Sequence, residues 1–368
     1  MHAICIAPIS TSPRSHKSAA KPWIIRRINN LAQAGPPDRL TGYHAAMFSY
    51  RHAFHAGNHA DVLKHTTLIA TLKHLTQKDA GLTLIDTHAG AGLYRLDSDF
   101  SETAGEAREG IFKLMASLRP AAPEAEAKTA KPGTKPTEDA TNSAAPALQD
   151  YLDLIASFNP DGRLKVYPGS PFVMHSLLRA EARDKLKLFE MHPTDSKVLA
   201  ANIAQLEAGR QIAVARQDGF EGLKAFLPPP NRRALVLIDP SYELKTDYAQ
   251  VSACIQDCLK RFATGTYMVW YPVIPRPEAH DLPRRLKTLA TQAKRSWLHA
   301  TLAIGADETP TQALTEAGER KRPGLRASGM FVINPPHTLK AALQPALAAM
   351  LQALGRGPGK GTTLDAGG

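Results

Sequence analysis

The amino-acid sequence predicts an α/β fold built on a seven-stranded, doubly wound sheet, that is, a mostly parallel sheet with helices on both faces. Seven short runs have the length and apolar character of strands, namely residues 82–86, 186–190, 212–218, 234–239, 266–272, 297–304 and 329–335. Their apolar residues are nearly continuous, which indicates burial on both faces of the sheet. Helical segments separate most of the runs, as the crossover connections of a parallel sheet require.

The first helix of this fold is predicted over residues 58–78. Its apolar residues recur at helical spacing, and Asn58 with Asp61 resembles a capping pair at the start. The last two strand runs have no evident helix between them, so we expect them to form an antiparallel pair.

The chain is expected to form one folded domain over residues 47–354. Residues 1–46 lack hydrophobic periodicity and are interpreted as a disordered N-terminal extension, with a genuine basic arm that touches nucleic acid as the alternative. An insertion at about 94–166 is predicted to be a small helical subdomain. Within it, residues 120–147 have almost no large apolar side chain and are expected to be disordered. The Gly-rich residues 355–368 are expected to form a disordered tail.

Composition narrows the class of partner and the compartment. The net charge of +11, with a pI near 9.5, suits a polyanionic partner without establishing one. No apolar run approaches the roughly 18 residues of a membrane span, so none is predicted. The cysteines, Cys5, Cys254 and Cys258, are too sparse for a disulfide framework and indicate a reducing, cytoplasmic compartment. We expect the chain to act as a monomer.

A glycine turn follows the first strand, at the edge where doubly wound sheets bind their ligands. It runs from Asp86 to Gly92, and Gly90 with Gly92 allows the backbone to approach a ligand closely. A dinucleotide site favours a third glycine three residues later, where this chain has Arg95. The turn therefore counts against NAD.

Carboxylates end the second and third strands. Glu190 can accept the hydrogens of both ribose hydroxyls of an adenosyl group, and a solvated or salt-bridged glutamate is an equally good interpretation. Asp218 can accept from the exocyclic amine of a cofactor's adenine ring, while Gly219 lets the backbone pass close. An ordinary Asp-Gly turn is the alternative at this position.

The fourth strand ends in Asp239-Pro240-Ser241-Tyr242, the motif with the most chemical content. The lone pair of an adenine N6 amine is delocalised into the ring, so two acceptors that grip its hydrogens favour a pyramidal, nucleophilic nitrogen. Asp239 and the carbonyl of the stiff Pro240 can be these acceptors. Tyr242 offers a ring on which an extruded base can stack, worth ~1–3 kcal/mol. A strand-to-turn connection with a core tyrosine is the alternative.

Taken together, residues 47 to about 340 resemble the RlmJ family of 23S ribosomal RNA adenine-N6 methyltransferases. The matching stretches are SYRHAFHAGNHADVLKH (49–65), DTHAGAG (86–92), YPGSP (167–171), ExHP (190–193), DGF (218–220), DPSYExKTDY (239–248), KRFATGTYMVWYPV (260–273) and ASGMFVINPP (327–336). The resemblance implies a Rossmann-like methyltransferase fold, S-adenosylmethionine (SAM) as methyl donor and N6 of one adenine, number 2030, in 23S ribosomal RNA as target.

The resemblance also implies the roles of individual residues. Contacts with SAM are expected at His65, His88, Ser170, Glu190, Asp218, Gly219 and Asp239, with the Gly90 turn beside them. Catalytic roles are expected for Asp239, Pro240 and Tyr242. Substrate RNA is expected at Tyr50, His52 and Lys64, where Lys64 meets an RNA phosphate or the cofactor carboxylate, or is an ordinary solvated lysine. The histidines near the N-terminal motif lack a cysteine or carboxylate set with metal-site spacing, so no metal is expected.

One departure from the family keeps alternatives open. The family usually has a second proline where this chain has Ser241, which puts the rigidity of the loop in doubt. A catalytically silent SAM- and RNA-binding ribosome assembly factor is therefore an alternative. Methylation of DNA adenine or protein glutamine is another, and an NAD oxidoreductase is a more distant one.

Overall fold

The computed structural model describes residues 55–97, 106–118, 145–306 and 324–368. Its main sheet has eight strands, namely β1 (Thr83–Asp86), β4 (Lys185–Phe189), β5 (Ile212–Ala215), β6 (Ala234–Ile238), β7 (Thr266–Pro272), β8 (Trp297–Ile304), β9 (Ala327–Ile333) and β10 (Lys360–Gly367). Their order across the sheet is β10-β8-β9-β7-β6-β1-β4-β5. A separate antiparallel pair is formed by β2 (Leu93–Arg95) and β3 (Val166–Pro168). All seven predicted runs are strands of the main sheet, so the predicted fold class is confirmed.

The order of the strands creates a switch point at β1. Strand β1 pairs in parallel with β4 on one side and with β6 on the other. From β1 the chain winds outward to β4 and β5, and then returns to build β6 and β7 on the opposite side. The carboxyl ends of β1, β4 and β6 therefore lie side by side, which is where such sheets bind ligands. Strand β9 is antiparallel to both β7 and β8, so the predicted antiparallel pairing of the last two runs is confirmed.

Helices cover both faces of the sheet. The helices are α1 (His59–Leu75), α2 (Lys113–Ser117), α3 (Pro146–Ser157), α4 (Ser170–Ser176), α5 (Pro193–Ala204), α6 (Gly219–Leu223), α7 (Lys245–Arg261), α8 (Pro277–Gln292) and α9 (Leu339–Leu354). Along β6 the side chains alternate between two apolar cores: Leu235 and Leu237 pack with α1 and α9, and Val236 and Ile238 pack with α7 and α8. This burial on both sides explains the continuous apolar runs in the sequence.

The first helix begins where the sequence predicts. The Asn58 side chain accepts hydrogen bonds from the backbone N–H groups of Ala60 and Asp61 at 2.9 and 3.0 Å. In return, the Asp61 carboxylate accepts from the N–H of Gly57 at 2.9 Å. This reciprocal cap fixes the direction in which α1 enters the core beneath β1.

The prediction of a disordered tail over residues 355–368 is wrong. Helix α9 ends at Leu354, and the chain turns back so that β10 pairs antiparallel with β8 over its whole length. The Thr301 and Thr363 hydroxyls also meet across the pair at 2.7 Å. A Gly-rich segment has few side chains that can pack. Its backbone can still be ordered by hydrogen bonds to a strand such as β8, whose outer backbone groups would otherwise be unpaired.

The predicted insertion is described only in part. Of the helices that it contributes, α3 packs against α1 and α9, α2 packs against α9, and both share the same apolar core. Residues 119–144, most of the segment predicted to be disordered, and residues 1–46 lie outside the described residues. Pro146, which the prediction placed inside that disordered segment, instead opens α3. Within the described ranges no helix has both the length and the apolar character needed to cross a membrane.

Candidate active site

A cavity opens at the carboxyl ends of β1, β4 and β6. Its lining comes from α1, the glycine turn after β1, the start of α4 and the loops after β4 and β6. The lining residues are Lys64, His88, Ala89, Gly90, Tyr94, Gly169, Ser170, Glu190, Met191, His192, Asp195, Asp239, Ser241 and Glu243. Among the predicted site residues, Lys64, His88, Gly90, Ser170, Glu190 and Asp239 are thus brought together.

The glycine turn is held by a hydrogen bond to the residue that follows β4. Gly90 has a φ of +59°, a left-handed conformation, and a Cβ atom there would collide with the Tyr94 hydroxyl. Its N–H donates to Oε2 of Glu190 at 2.8 Å, while the N–H of His192 donates to Oε1 at 2.6 Å. The Glu190 carboxylate is therefore fixed by backbone donors on both oxygens, and each oxygen keeps further capacity to accept.

Burial dominates the acid–base behaviour of Glu190. Removal from water raises its pKa to about 7, although the N–H groups of His192 and Gly90 favour the charged form. Asp86, the last residue of β1, is fully buried behind the cavity, and burial raises its pKa to about 6. Both carboxyl groups therefore titrate close to neutrality.

Asp239 is tied to Lys64 by a buried ion pair. The Lys64 Nζ atom lies 2.6 Å from Oδ2 of Asp239 and 2.9 Å from Oδ1 of Asp61, which is one turn earlier on α1. Although burial opposes it, these two carboxylates raise the pKa of Lys64, so the amine stays charged. Within the described ranges no donor reaches Oδ1 of Asp239, so that oxygen remains able to accept.

This geometry corrects the expectation for Lys64. Only 3% of the residue is exposed, and its ammonium is sandwiched between two carboxylates, so it is neither a solvated lysine nor placed to meet an RNA phosphate. The reason is tertiary: the helix α1 runs under the sheet and points this side chain at the end of β6. Lys64 is a site residue, but its partners are acidic side chains.

His88 is neutral and presents an acceptor. Burial lowers its pKa to about 4. The Thr87 hydroxyl donates to the carbonyl of Leu237 at 3.1 Å and lies 2.8 Å from Nδ1 of His88. Because the single hydroxyl hydrogen is used, Nδ1 is assigned as the donor of that contact, which leaves Nε2 as an acceptor. A neutral acceptor suits a cationic or amine-bearing ligand better than a carboxylate.

The charge of the cavity is opposite to that of the whole chain. Its described lining carries the carboxylates of Glu190, Asp195, Asp239 and Glu243 against the ammonium of Lys64. An anionic diphosphate, as in NAD, would meet these carboxylates, and Lys64 in the described lining is already paired with Asp61 and Asp239. SAM carries a sulfonium and an ammonium against one carboxylate, and its ribose presents two hydroxyl donors. The donor set and the open turn at Gly90 therefore fit SAM and disfavour NAD.

Four of the predicted contacts do not line the cavity. His65 is fully buried, with Nδ1 2.9 Å from the Tyr167 hydroxyl. The Asp218 side chain caps α6 by accepting from the N–H groups of Phe220 and Glu221, and it borders a neighbouring depression beside α7.

Gly219 packs closely against the turn that follows β1, and a Cβ atom there would collide with the Thr87 carbonyl. Pro240 is buried beside Asp239. Tyr50 and His52 lie outside the described residues.

The expectation that Tyr242 offers a stacking face is not met by this structure. Only 3% of the residue is exposed, its hydroxyl donates to the Trp270 carbonyl at 2.7 Å, and its ring packs on Tyr248. The backbone of Tyr242 has a φ of +55°, and this left-handed turn accompanies the burial of the ring in the core instead of its exposure at the cavity. The alternative interpretation, a core tyrosine, is the one that the geometry favours.

Arg276 supports the same loop from outside. Its guanidinium donates to the carbonyls of Tyr242 and Glu243 at 3.2 and 3.4 Å. Ser241 is exposed, and the loop is held on either side of it by Asp239 and Tyr242. The missing second proline is therefore offset by contacts that the sequence alone did not reveal.

Sequence reasoning missed Asp61, Tyr94, His192 and Arg276 as site residues. Asp61 carried a signal, since it stands three residues before Lys64 on a predicted helix and an i,i+3 pair shares one face. The others are brought to the site by the fold. Within the described ranges no group of three or more His, Cys, Asp or Glu side chains could hold a metal ion, and the prediction that the protein uses no metal stays a prediction.

Comparisons with known proteins find a family model and two relatives with similar descriptions. A family model described as "Ribosomal RNA large subunit methyltransferase D, RlmJ" matches residues 79–129 and 137–364. The chain is 40% identical over 301 residues to Ribosomal RNA large subunit methyltransferase J of Escherichia coli, covering 82% of the chain and 92% of that relative. It is 39% identical over 309 residues to the protein of the same name from Haemophilus influenzae, covering 84% of the chain and 94% of that relative.

A solved structure is also similar. The crystal structure of protein LPL1258 from Legionella pneumophila aligns with a TM-score of 0.65 and 29% sequence identity. The alignment covers 85% of the present chain and 98% of the Legionella chain.

Proposed function

The chain belongs to the RlmJ family of ribosomal RNA large subunit methyltransferases, and from this premise we propose that it transfers the methyl group of SAM to N6 of one adenine in 23S ribosomal RNA. Adenine 2030 is the position that the family resemblance suggests. The observation that carries the proposal is Asp239: a charged acceptor held by Lys64 at the carboxyl end of β6, inside an acidic cavity.

The residues that would hold SAM surround the turn after β1. Glu190, already fixed by two backbone N–H groups, would accept both ribose hydroxyls. The backbone around Gly90 allows close approach, and Ser170 and His88 offer polar side chains beside it. Asp218 borders the next depression and retains one carboxylate oxygen that would accept from an adenine amine, with Gly219 beside it in the chain. His65 does not line the cavity and would act on SAM only indirectly, through neighbours such as the Tyr167 hydroxyl. When bound, SAM supplies an electrophilic methyl group on a positively charged sulfur.

Asp239 would prepare the nucleophile. Because Lys64 occupies Oδ2, the carboxylate cannot rotate freely, and Oδ1 is left to accept one N6 hydrogen. The Pro240 carbonyl would accept the other hydrogen, which localises the lone pair on nitrogen. Lys64 holds Asp239 in place before the base arrives, so little reorganisation of this acceptor would accompany the reaction.

The chemical step is then a direct transfer. SAM would supply its methyl group directly to the N6 lone pair, with the electron pair of the carbon–sulfur bond left on sulfur, and the residues of the chain would orient the amine and take its proton. The surplus proton on N6 passes to Oδ1 of Asp239 and from there to solvent. No covalent intermediate on the protein is needed, and the buried Cys254 and Cys258 on α7 do not line the cavity.

The charge distribution of the protein would act differently on the phosphate backbone of the RNA and on the target base. The chain as a whole has a net charge of +11, which attracts the phosphate backbone, whereas the cavity is acidic and repels phosphate. An extruded adenine is uncharged and can enter, at a cost of about a few kcal/mol for unstacking. We propose that this contrast admits the base and keeps its backbone at the rim.

The test is methyl transfer from labelled SAM to 23S ribosomal RNA isolated from cells that lack this protein, followed by mass mapping of the product. We expect one N6-methyladenine with the wild-type chain and a rate lower by about a hundredfold to a thousandfold with Asp239→Asn, which removes a preorganised charged acceptor. Asp281→Asn is the matched control, since Asp281 forms an exposed pair with Arg284 on α8.

Competing substrates decide among the alternatives. A fully active Asp239→Asn protein, or methylation of DNA in preference to RNA, would contradict the proposal. RNA binding without any methyl incorporation by the wild-type chain would favour a silent assembly factor. Ser241 was the reason to consider such a factor, and the loop around it is held by contacts of Tyr242 and Arg276.

A further inference from the structure

Leu244 is a mostly exposed apolar residue at a position where folding gains little from it. Its side chain is 60% exposed, the largest exposed fraction among the large apolar side chains of the described ranges. It is also the residue that directly precedes α7, and its side chain makes no cap hydrogen bond. Polar residues such as asparagine and serine are favoured at that position, because they accept from the free N–H groups of the first turn. Leucine there forgoes both burial and capping.

The backbone that carries Leu244 is nonetheless well fixed. The Leu244 carbonyl accepts from the N–H of Asp247 at 3.1 Å, and Arg276 donates to the carbonyls of the two preceding residues at 3.2 and 3.4 Å. Two residues before Leu244, Tyr242 is anchored through its hydroxyl to the Trp270 carbonyl. An exposed side chain on a fixed backbone is presented in one place, which lowers the entropy cost of a contact with a partner.

Leu244 stands beside the candidate active site. The preceding residue, Glu243, lines the cavity, and Asp239 lies five residues earlier on the same loop. Met191, which is 52% exposed, lines the cavity from the loop after β4, next to Glu190. Strands β4 and β6 flank β1, so their ends are about 10 Å apart. A single exposed leucine needs no explanation, but two large apolar side chains on loops at two sides of an acidic cavity indicate a contact surface.

We propose that Leu244 is a wedge residue: when the target adenine leaves the RNA stack to reach Asp239, the Leu244 side chain enters the space that the base vacates. This inference rests on the proposed function, because it takes RNA with an extruded adenine as the substrate. Extrusion exposes the apolar faces of the two neighbouring bases, and an apolar side chain that covers them offsets part of the unstacking cost. Because Leu244 and Asp239 share one loop, the gap lies beside Leu244 when the base is in the cavity.

The chemistry of leucine selects this role among the possible contacts with RNA. Its side chain can neither donate nor accept a hydrogen bond, so it gives no affinity for phosphate and reads no base edge. What it can cover is the flat face of a base, which becomes accessible inside a stack only where a neighbouring base is missing. The wedge thus favours an RNA with one base extruded over the same RNA with its stack intact.

Extrusion is measured with 2-aminopurine, placed in 23S ribosomal RNA instead of the methylated adenine, because stacking quenches the fluorescence of this base. We expect a rise when the wild-type chain binds, and a rise about half as large or less with Leu244→Ala. Methyl transfer to unlabelled RNA should be about tenfold slower in that variant, with SAM affinity within about twofold of wild type. Leu244→Met keeps an apolar side chain of similar size and should retain both. Val198→Ala is the matched control, since Val198 is 40% exposed on α5 and does not line the cavity.

Leu244→Asn separates the wedge from folding. Asparagine is favoured at the residue before a helix, so this variant should unfold at a higher urea concentration than wild type and still lose about tenfold in methyl transfer. Full extrusion and full activity in Leu244→Ala and Leu244→Asn overturn this inference alone. So does a wild-type chain that methylates the RNA without any rise in fluorescence. A wild-type chain that transfers no methyl group overturns the proposed function and the inference with it.

Discussion

The carboxyl group of Glu190 is expected to cost stability at neutral pH, and Glu190→Gln tests this. In an unfolded chain the group has the ordinary pKa of 4.5, while in the folded protein burial raises that pKa to about 7. Between these two values the folded state binds a proton that the unfolded state has released. Stability therefore falls as the pH rises through this window, and the loss is complete above about pH 7.

The magnitude follows from the size of the shift. A difference of about two and a half pKa units corresponds to about 3 kcal/mol between the two protonation states. Glutamine cannot ionise, so the variant lacks this pH-dependent term. Its amide also faces the N–H donors of Gly90 and His192 and satisfies only one of them, which subtracts a roughly constant amount at every pH.

The measurement is urea unfolding of both proteins at a series of pH values between about 4.5 and 8. We expect the free energy of unfolding of Glu190→Gln, relative to wild type, to rise by about 3 kcal/mol across the series. Glu181→Gln, at an exposed position, is the control and should show no such trend. A relative stability that stays flat across the series would refute the argument that burial of Glu190 is costly.

Three further variants test other contacts. Tyr242→Phe leaves the Trp270 carbonyl without its donor and should lower the free energy of unfolding by about 1–2 kcal/mol in chemical denaturation; no loss would show that the hydroxyl is not needed. Arg276→Gln removes the donors to the loop after β6 and should lower kcat about tenfold with SAM affinity unchanged, so an equal loss of affinity would contradict a role confined to the loop. Gly219→Ala forces a methyl group against the Thr87 carbonyl; titration calorimetry should find SAM binding weakened by more than about tenfold, and normal binding would mean that the backbone can yield there.

The local sequence pattern was enough to predict most strands of the sheet and the residues at their ends. Apolar runs identified every strand of the main sheet except β10, whose alternating small and polar residues bury no side chain. That strand is ordered by pairing with β8, a partner more than fifty residues away in sequence, and no local property of residues 360–367 reports it.

The sequence by itself determined which chemical groups stand at the carboxyl ends of the strands, because a strand and the residue that ends it are adjacent in the chain. Gly90, Glu190 and Asp239 were found in this way, and the parallel order of the sheet brings them to one cavity. Which side chains then face one another was decided only by the tertiary structure. Lys64 meets Asp239 across 175 positions of sequence, and burial between two carboxylates, not its own chemistry, makes it an internal counterion. Charge pairing and burial depend on distances in space, and those exist only once the chain has folded.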